Sequence, residues 1–230
     1  MDDPYHIGFV SETPPGAREL YNQCRQAGLK TTRDGQSEVV AKYRIGLTAY
    51  TDSSLESALE ALEDAESGSM HFWTDSGTML RVGISNPTAE DEQMLGCVSI
   101  GFQTSEIDGN AHPDSTYRTR IDEVLNLVAN MVPVVDPEYV WSSVYKGHES
   151  YDRFVPDGEP IAENIENLSW ITVMSSQVIE EFGGREYVLD TPAFRVQELD
   201  PGHIMIVLEE RPLDAMEPTY SSAEAHLLDQ

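Results

Sequence analysis

Val39-Val40-Ala41-Lys42-Tyr43-Arg44-Ile45-Gly46-Leu47-Thr48-Ala49 is the stretch on which the fold class turns. Val39, Ala41, Tyr43, Ile45, Leu47 and Ala49 are apolar while Lys42, Arg44 and Thr48 interleave, the period-two pattern of a strand with one face in a core. The run predicts a single strand over 39–49. On either side the period changes to that of a helix. Upstream, Thr13-Pro14-Pro15 suits a helix start, because proline is tolerated in a first turn, and Gly28 suits a stop. Between them Leu20, Tyr21 and Cys24 share a face. Downstream, Ser53-Ser54-Leu55-Glu56 has the spacing of a capping box. The helix it opens sets Leu55, Ala58, Leu59 and Leu62 on one stripe and Glu56, Glu60, Glu63 and Asp64 on the other.

Farther along, short strands near Met70–Thr74 and Met79–Ile84 flank Asp75-Ser76-Gly77, residues that suit a hairpin turn. Another strand, Gly96–Phe102, turns Val98, Ile100 and Phe102 one way. A second helix begins near Asp114 or Ser115, carries Tyr117, Ile121, Val124, Leu125, Val128 and Met131 at helical spacing, and is predicted to end at Pro133. Tyr139–Tyr145 reads as a strand. This order predicts an α+β fold: an antiparallel sheet covered by two helices, with ferredoxin-like elements. After a loop-like stretch over 147–163, Trp170–Met174 is an apolar run, and Ser175 is placed to cap a helix that Gly183-Gly184 stops. Phe194–Leu199, Asp200-Pro201-Gly202 and His203–Leu208 read as a hairpin. The expected division is an N-terminal helical extension (1–36), an α+β core (37–146), a C-terminal helix-hairpin subdomain packed on it (147–211) and a flexible tail (212–230).

Forty-one acids stand against fourteen bases in 230 residues, a formal net charge of −27. The excess is global: residues 1–146 carry 23 acids and 10 bases, residues 147–230 carry 18 and 4. Self-repulsion of this size loosens a compact state in dilute buffer and is removed by multimolar salt, since the screening length falls from about 10 Å at 0.1 M to about 3 Å at 1 M. Only Lys30, Lys42 and Lys146 are lysines. An acid-rich, lysine-poor chain resembles the proteins of salt-in halophiles such as haloarchaea, which implies counterions as its constant partners. Phosphate binding needs a basic footprint, and no Lys/Arg cluster exists, so nucleic acid and anionic membranes are disfavoured. No apolar run reaches about 18 residues and no basic segment precedes an apolar one at the start. Cys24 and Cys97, not in a CxxC pair, read as two reduced thiols. The expected address is cytoplasmic.

Near the C-terminus Ser169-Trp170-Ile171-Thr172, Gly183-Gly184-Arg185-Glu186, Pro192-Ala193, Arg195-Val196-Gln197-Glu198-Leu199 and Gly202 form a familiar series. It resembles the end of the immunity-protein families associated with polymorphic and type VI toxins. The preceding helix, Pro133 and Tyr139-Val140-Trp141 are similar in arrangement. The order of elements matches over 40–210, the specific residues only over 169–202. The resemblance implies an α+β protein that binds and blocks a cognate toxin. The N-terminal helix and the acidic surface depart from that pattern.

No catalytic motif emerges. His71, His112, His148 and His203 have no metal-ligand spacing, and His71 alternates with Met70 and Phe72 as an ordinary strand residue. Asp108-Gly109-Asn110-Ala111-His112-Pro113-Asp114 is rich in donor atoms. It fails as a calcium loop, with Pro113 where glycine is needed and Thr119 where the bidentate glutamate belongs. No nucleophile elbow, Walker loop or dinucleotide fingerprint is present. Catalytic, cofactor-binding and metal residues are therefore nominated nowhere, and no cofactor is expected. Trp73, Trp141 and Trp170 are the candidate partner-binding residues, because aromatics anchor interfaces as well as cores. Arg195 is expected to pair with a carboxylate. The favoured reading is a non-enzymatic, protein-binding, immunity-like module. The alternatives are an enzyme whose residues meet only in the fold, marked by a deep pocket joining His71, His112 or Arg44 to carboxylates, and an accessory protein of a mobile element.

Overall fold

In Pro4-Tyr5-His6-Ile7-Gly8-Phe9-Val10-Ser11 the alternate residues Tyr5, Ile7 and Phe9 are all buried, and this segment, β1 (Pro4–Ser11), lies in the interior of the sheet. The structure is a computed structural model that describes residues 4–33, 36–37, 41–45, 48–52, 55–65, 67–85, 96–144, 161–162, 165, 167–212 and 222–228. After β1 come α1 (Ala17–Gln26), the ribbon β2 (Thr32–Arg33) and β3 (Gln36–Ser37), then β4 (Ala41–Ile45), β5 (Thr48–Asp52) and α2 (Leu55–Glu63). The middle of the chain supplies β6 (Ser67–Trp73), β7 (Met79–Ser85), β8 (Gly96–Gln103), the 3-10 turn η1 (Thr104–Ile107) and α3 (Asp114–Val135). The remainder gives β9 (Tyr139–Val144), β10 (Ile171–Met174), α4 (Ser176–Glu181), α5 (Arg185–Leu189), β11 (Arg195–Leu199), β12 (His203–Val207) and α6 (Ser222–Leu228).

Ten strands form one sheet in the order β11-β12-β10-β9-β1-β8-β7-β6-β4-β5, every neighbour antiparallel. The class is α+β, as the element order predicts. Three helices, α1 to α3, cover one face: Leu20 and Cys24, Leu59 and Leu62, and Val124 and Val128 pack with Tyr5, Ile7, Phe9, Ile100 and Val82. On the other face α4 to α6 cover only the β9-β10-β12 end, with Val178, Val188 and Leu227 against Met174, Ile204 and Ile206. β12 is therefore buried at all five positions, and after His203 its residues 204–207 read as a continuous apolar run instead of an alternation.

Several local signals act as read. Gly28 at φ 89° ends α1, with Gly28 N–H donating to Arg25 O and Leu29 N–H to Cys24 O, the paired bonds of a Schellman stop. Gly77 at φ 85° closes the β6–β7 hairpin, and Ser175 caps α4 by accepting from Val178 N–H. Burial pushes the thiols of Cys24 and Cys97 up to about 12, so both stay protonated and unreactive.

Other expectations are corrected. The strand over 39–49 is instead the hairpin β4–β5, with Ile45 opposite Thr48. Alternation continues through such a reversal, and Gly46 is the only turn-forming residue type in the run. Residues 1–36 contribute a central strand as well as a helix. Pro133 does not stop α3: in the last turn it forfeits one backbone donor, and the helix runs on to Val135, where Asp136 at φ 45° donates to Val132 O. Within the segment 212–230 expected as a flexible tail lies α6, whose Ala223 and Leu227 are buried and whose Glu224 carboxylate accepts from Leu168 N–H. The capping serine Ser53, Tyr145 and most of the 147–163 loop lie outside the described residues.

Where β9 and β10 diverge, hydroxyls take over from the ladder. Ser142 N–H donates to Ser169 Oγ at 2.9 Å, Ile171 N–H to Ser142 Oγ at 2.9 Å, and the Tyr5 hydroxyl to Ser142 Oγ at 3.1 Å. Burial raises the Tyr5 pKa, against which its bond to Ser142 acts, so the phenol stays neutral.

On the sheet face away from α1–α3, His6 lies over Gly101, where an added Cβ would come within 3.3 Å of the ring. Burial, with the nearby Arg81 charge, lowers the His6 pKa from its ordinary 6.5. The folded state thus holds fewer protons here than the unfolded chain. The contribution is intact above the ordinary value and is lost as pH falls through it toward the lowered one. His6→Asn should therefore flatten the acid limb of urea midpoint against pH at fixed salt; an unchanged limb would refute this.

Candidate functional site

Tyr117, Ile121 and Leu125 recur every four residues and form one stripe of α3 that faces the β11–β12 end of the sheet. Between that stripe and Phe194, Arg195 and Glu210 lies a groove of about 390 Å³, with Arg118 and Asp122 on its rim. Phe194 is held by its backbone, its N–H donating to Leu208 O at 3.1 Å, while its side chain is 55% exposed. It is the one large exposed hydrophobic side chain among the described residues. The opposite wall is fixed from two sides. The Tyr117 hydroxyl donates to Glu210 O at 3.2 Å, the Trp170 Nε1–H to Glu209 O at 3.0 Å, and Arg118 Nη2 pairs with the Glu210 carboxylate at 3.4 Å.

The lining holds two guanidiniums, Arg118 and Arg195, and two carboxylates, Asp122 and Glu210. In a chain of net −27 this is a locally neutral window with an aromatic at its edge. Such a surface suits an apolar side chain of a partner and places little repulsion around it. No histidine lines the groove.

The structure distributes the sequence candidates differently. Trp73 and Trp170 are core residues, 4% and 1% exposed. Trp73 closes β6, exchanging backbone hydrogen bonds with Lys30, and Trp170 stands edge-on to Tyr5 with ring centroids 5.8 Å apart. Trp141 is half-buried on the sheet face away from α1–α3, lying over Gly8, where an added Cβ would meet its indole at 2.6 Å. None of the three lines the groove. Arg195 is exposed on its rim, and the nearby ion pair forms instead between Arg185 and Glu198.

His71 is buried in β6 opposite Arg81, His203 is buried with Nε2 2.7 Å from Pro137 O, and His112 sits at the foot of α3. They are not brought together. His148 lies outside the described residues. Groups of three or more metal-ligating side chains are absent among the described residues. Within them, no helix is long and apolar enough to cross a membrane. Phe194 was legible only as the first residue of a hairpin; its exposure depends on what packs above it.

Fold and groove together define an α+β protein with a ten-stranded antiparallel sheet and a surface cleft at one end. The T6SS protein PA0821 of Pseudomonas aeruginosa is similar in fold, with a TM-score of 0.55 and 12% sequence identity over 99% of this chain and 75% of that one. No family model and no curated protein matches the sequence.

Proposed function

We propose that this chain is a non-enzymatic protein-binding module of the immunity-like kind, and that it engages its partner through the groove at Phe194. The observation that carries the reading is the exposed Phe194 ring beside an apolar groove with balanced charges. Water contact over so much aromatic surface is unfavourable, at about 25 cal/mol per Å², and a partner that covers it recovers that free energy. The fold likeness to a T6SS protein and the C-terminal sequence pattern support the same reading.

Phe194→Glu tests it directly. The substitution is at an exposed site, so stability should change by no more than about 0.5 kcal/mol. Tagged wild type incubated in multimolar salt with a lysate of its own cells should capture a stoichiometric protein, and the variant should retain at least about tenfold less, in line with loss of a hot spot. Absence of a stoichiometric protein, or equal capture by the variant, overturns the proposal.

A further inference from the structure

The Asp108–Asp114 segment, rich in donor atoms, is closed on itself: Asp108 Oδ1 accepts from Asn110 N–H at 2.8 Å and Asp108 O from Ala111 N–H at 3.0 Å. Its histidine does something else. His112 Nε2 lies 2.8 Å from Arg120 Nη1 and 2.9 Å from Ser105 O. A guanidinium only donates and a carbonyl only accepts, so one ring nitrogen cannot satisfy both at once. A bare Nε2 takes the Arg120 N–H; an Nε2–H takes the Ser105 carbonyl.

We propose that His112 is a proton-operated clasp between the turn after η1 and the first turns of α3. Neutral, with its proton on Nδ1, it accepts from Arg120 and ties the turn to the helix. Protonated, it donates from Nε2 to Ser105 O and sets an imidazolium against the Arg120 guanidinium, so the tie is lost as pH falls. The charged group on the ring is Arg120 from α3, itself paired with Glu106 from η1; Asp108 lies in the same turn as His112 and Asp114 opens α3. Arg120 is only 12% exposed and pairs with the Glu106 carboxylate, with a further contact from Nη1 to Glu106 O at 3.2 Å. Its Nε–H has no hydrogen-bond partner among the described residues. Glu106 therefore offsets part of the repulsion and keeps Arg120 tied to η1 through its carboxylate and carbonyl, so what protonation removes is the bond from Arg120 to the turn at His112. Tyr117, Arg118 and Ile121 stand on the same turns of α3, so the clasp steadies the helical wall of the groove whatever the groove binds.

Two measurements decide. Imidazole ¹⁵N shifts of wild type should show a non-protonated Nε2 at about pH 8 that gains its proton as pH is lowered. Amide protection factors over residues 104–117, corrected for intrinsic exchange, should drop by roughly three- to tenfold between about pH 8 and about pH 5. His112→Gln should show no such drop. An Nε2–H tautomer at about pH 8, or an equal drop in His112→Gln, overturns the clasp. The tautomer is read on wild type, so the test stands even if the variant does not fold.

Discussion

Trp170→Ala is expected to remove about 3–5 kcal/mol of folding free energy. The indole is 1% exposed, packs edge-on against Tyr5 and donates through Nε1 to Glu209 O at 3.0 Å, while the backbone carbonyl accepts from Leu208 N–H at 3.0 Å. Truncation leaves a cavity where β9, β10 and β1 meet the helices and frees the carbonyl of Glu209. Trp170→Phe separates the two effects. It keeps most of the apolar area but removes the donor from that carbonyl, which belongs to an exposed residue that water can reach, a loss of about 0.5–1.5 kcal/mol. Trp141→Ala, at a half-buried site, should lose about 1–2 kcal/mol through area alone. Urea unfolding followed by circular dichroism at one fixed multimolar salt concentration ranks the three. Should Trp170→Ala unfold within about 1 kcal/mol of wild type, the assignment of Trp170 to the core is wrong.

The tryptophans show where sequence reading stops. An indole in an apolar run fits a core and an interface equally well, and only the layers packed around it decide. Trp170 meets Tyr5 from a strand whose existence is easily overlooked, because Tyr5, Ile7 and Phe9 alternate over one short segment and their pairing partners, Phe102 and Val144 in the registers of β8 and β9, come from far along the chain. Elements whose signals are local were legible: the turn at Gly77, the stop at Gly28, the cap at Ser175, the stripe of α3. Elements that depend on distant packing were not. α6 has too few residues to declare a period, and it is held by the Tyr187 ring stacked on His226 and by Glu224 reaching Leu168. The groove belongs to this second kind. Tyr117, Ile121 and Leu125 were visible as a helical stripe, but the other wall comes from residues 194–210, and nothing in either segment announces that they face each other.

The acidic surface is expected to make stability depend steeply on salt: moving from about 2 M to about 0.1 M KCl should lower the melting temperature by more than about 10 °C. The case rests on charges that have too few partners. Among the described residues, the exposed Glu56, Glu60 and Glu63 of α2 share the cation Arg18, whose Nη2 lies 3.0 Å from Glu56 and whose backbone N–H lies 3.1 Å from Glu63. The Arg18 pKa is raised by its hydrogen bond and charge contact with Glu56, with smaller help from Glu60 and Glu63. Across the chain 27 carboxylates are left over after every Lys and Arg is matched. Concentrated salt also strengthens apolar burial, so the screening part must be isolated. Glu60→Gln with Asp64→Asn removes two charges from the exposed stripe and leaves the direct Arg18 contacts with Glu56 and Glu63 in place. That variant should melt higher than wild type at about 0.1 M KCl and converge with it at about 2 M, because only the repulsive term is screened. Equal melting of wild type at both salt concentrations would show that the carboxylate coat is tolerated without counterions. A variant shifted by the same amount at both would place the salt response in the apolar core instead.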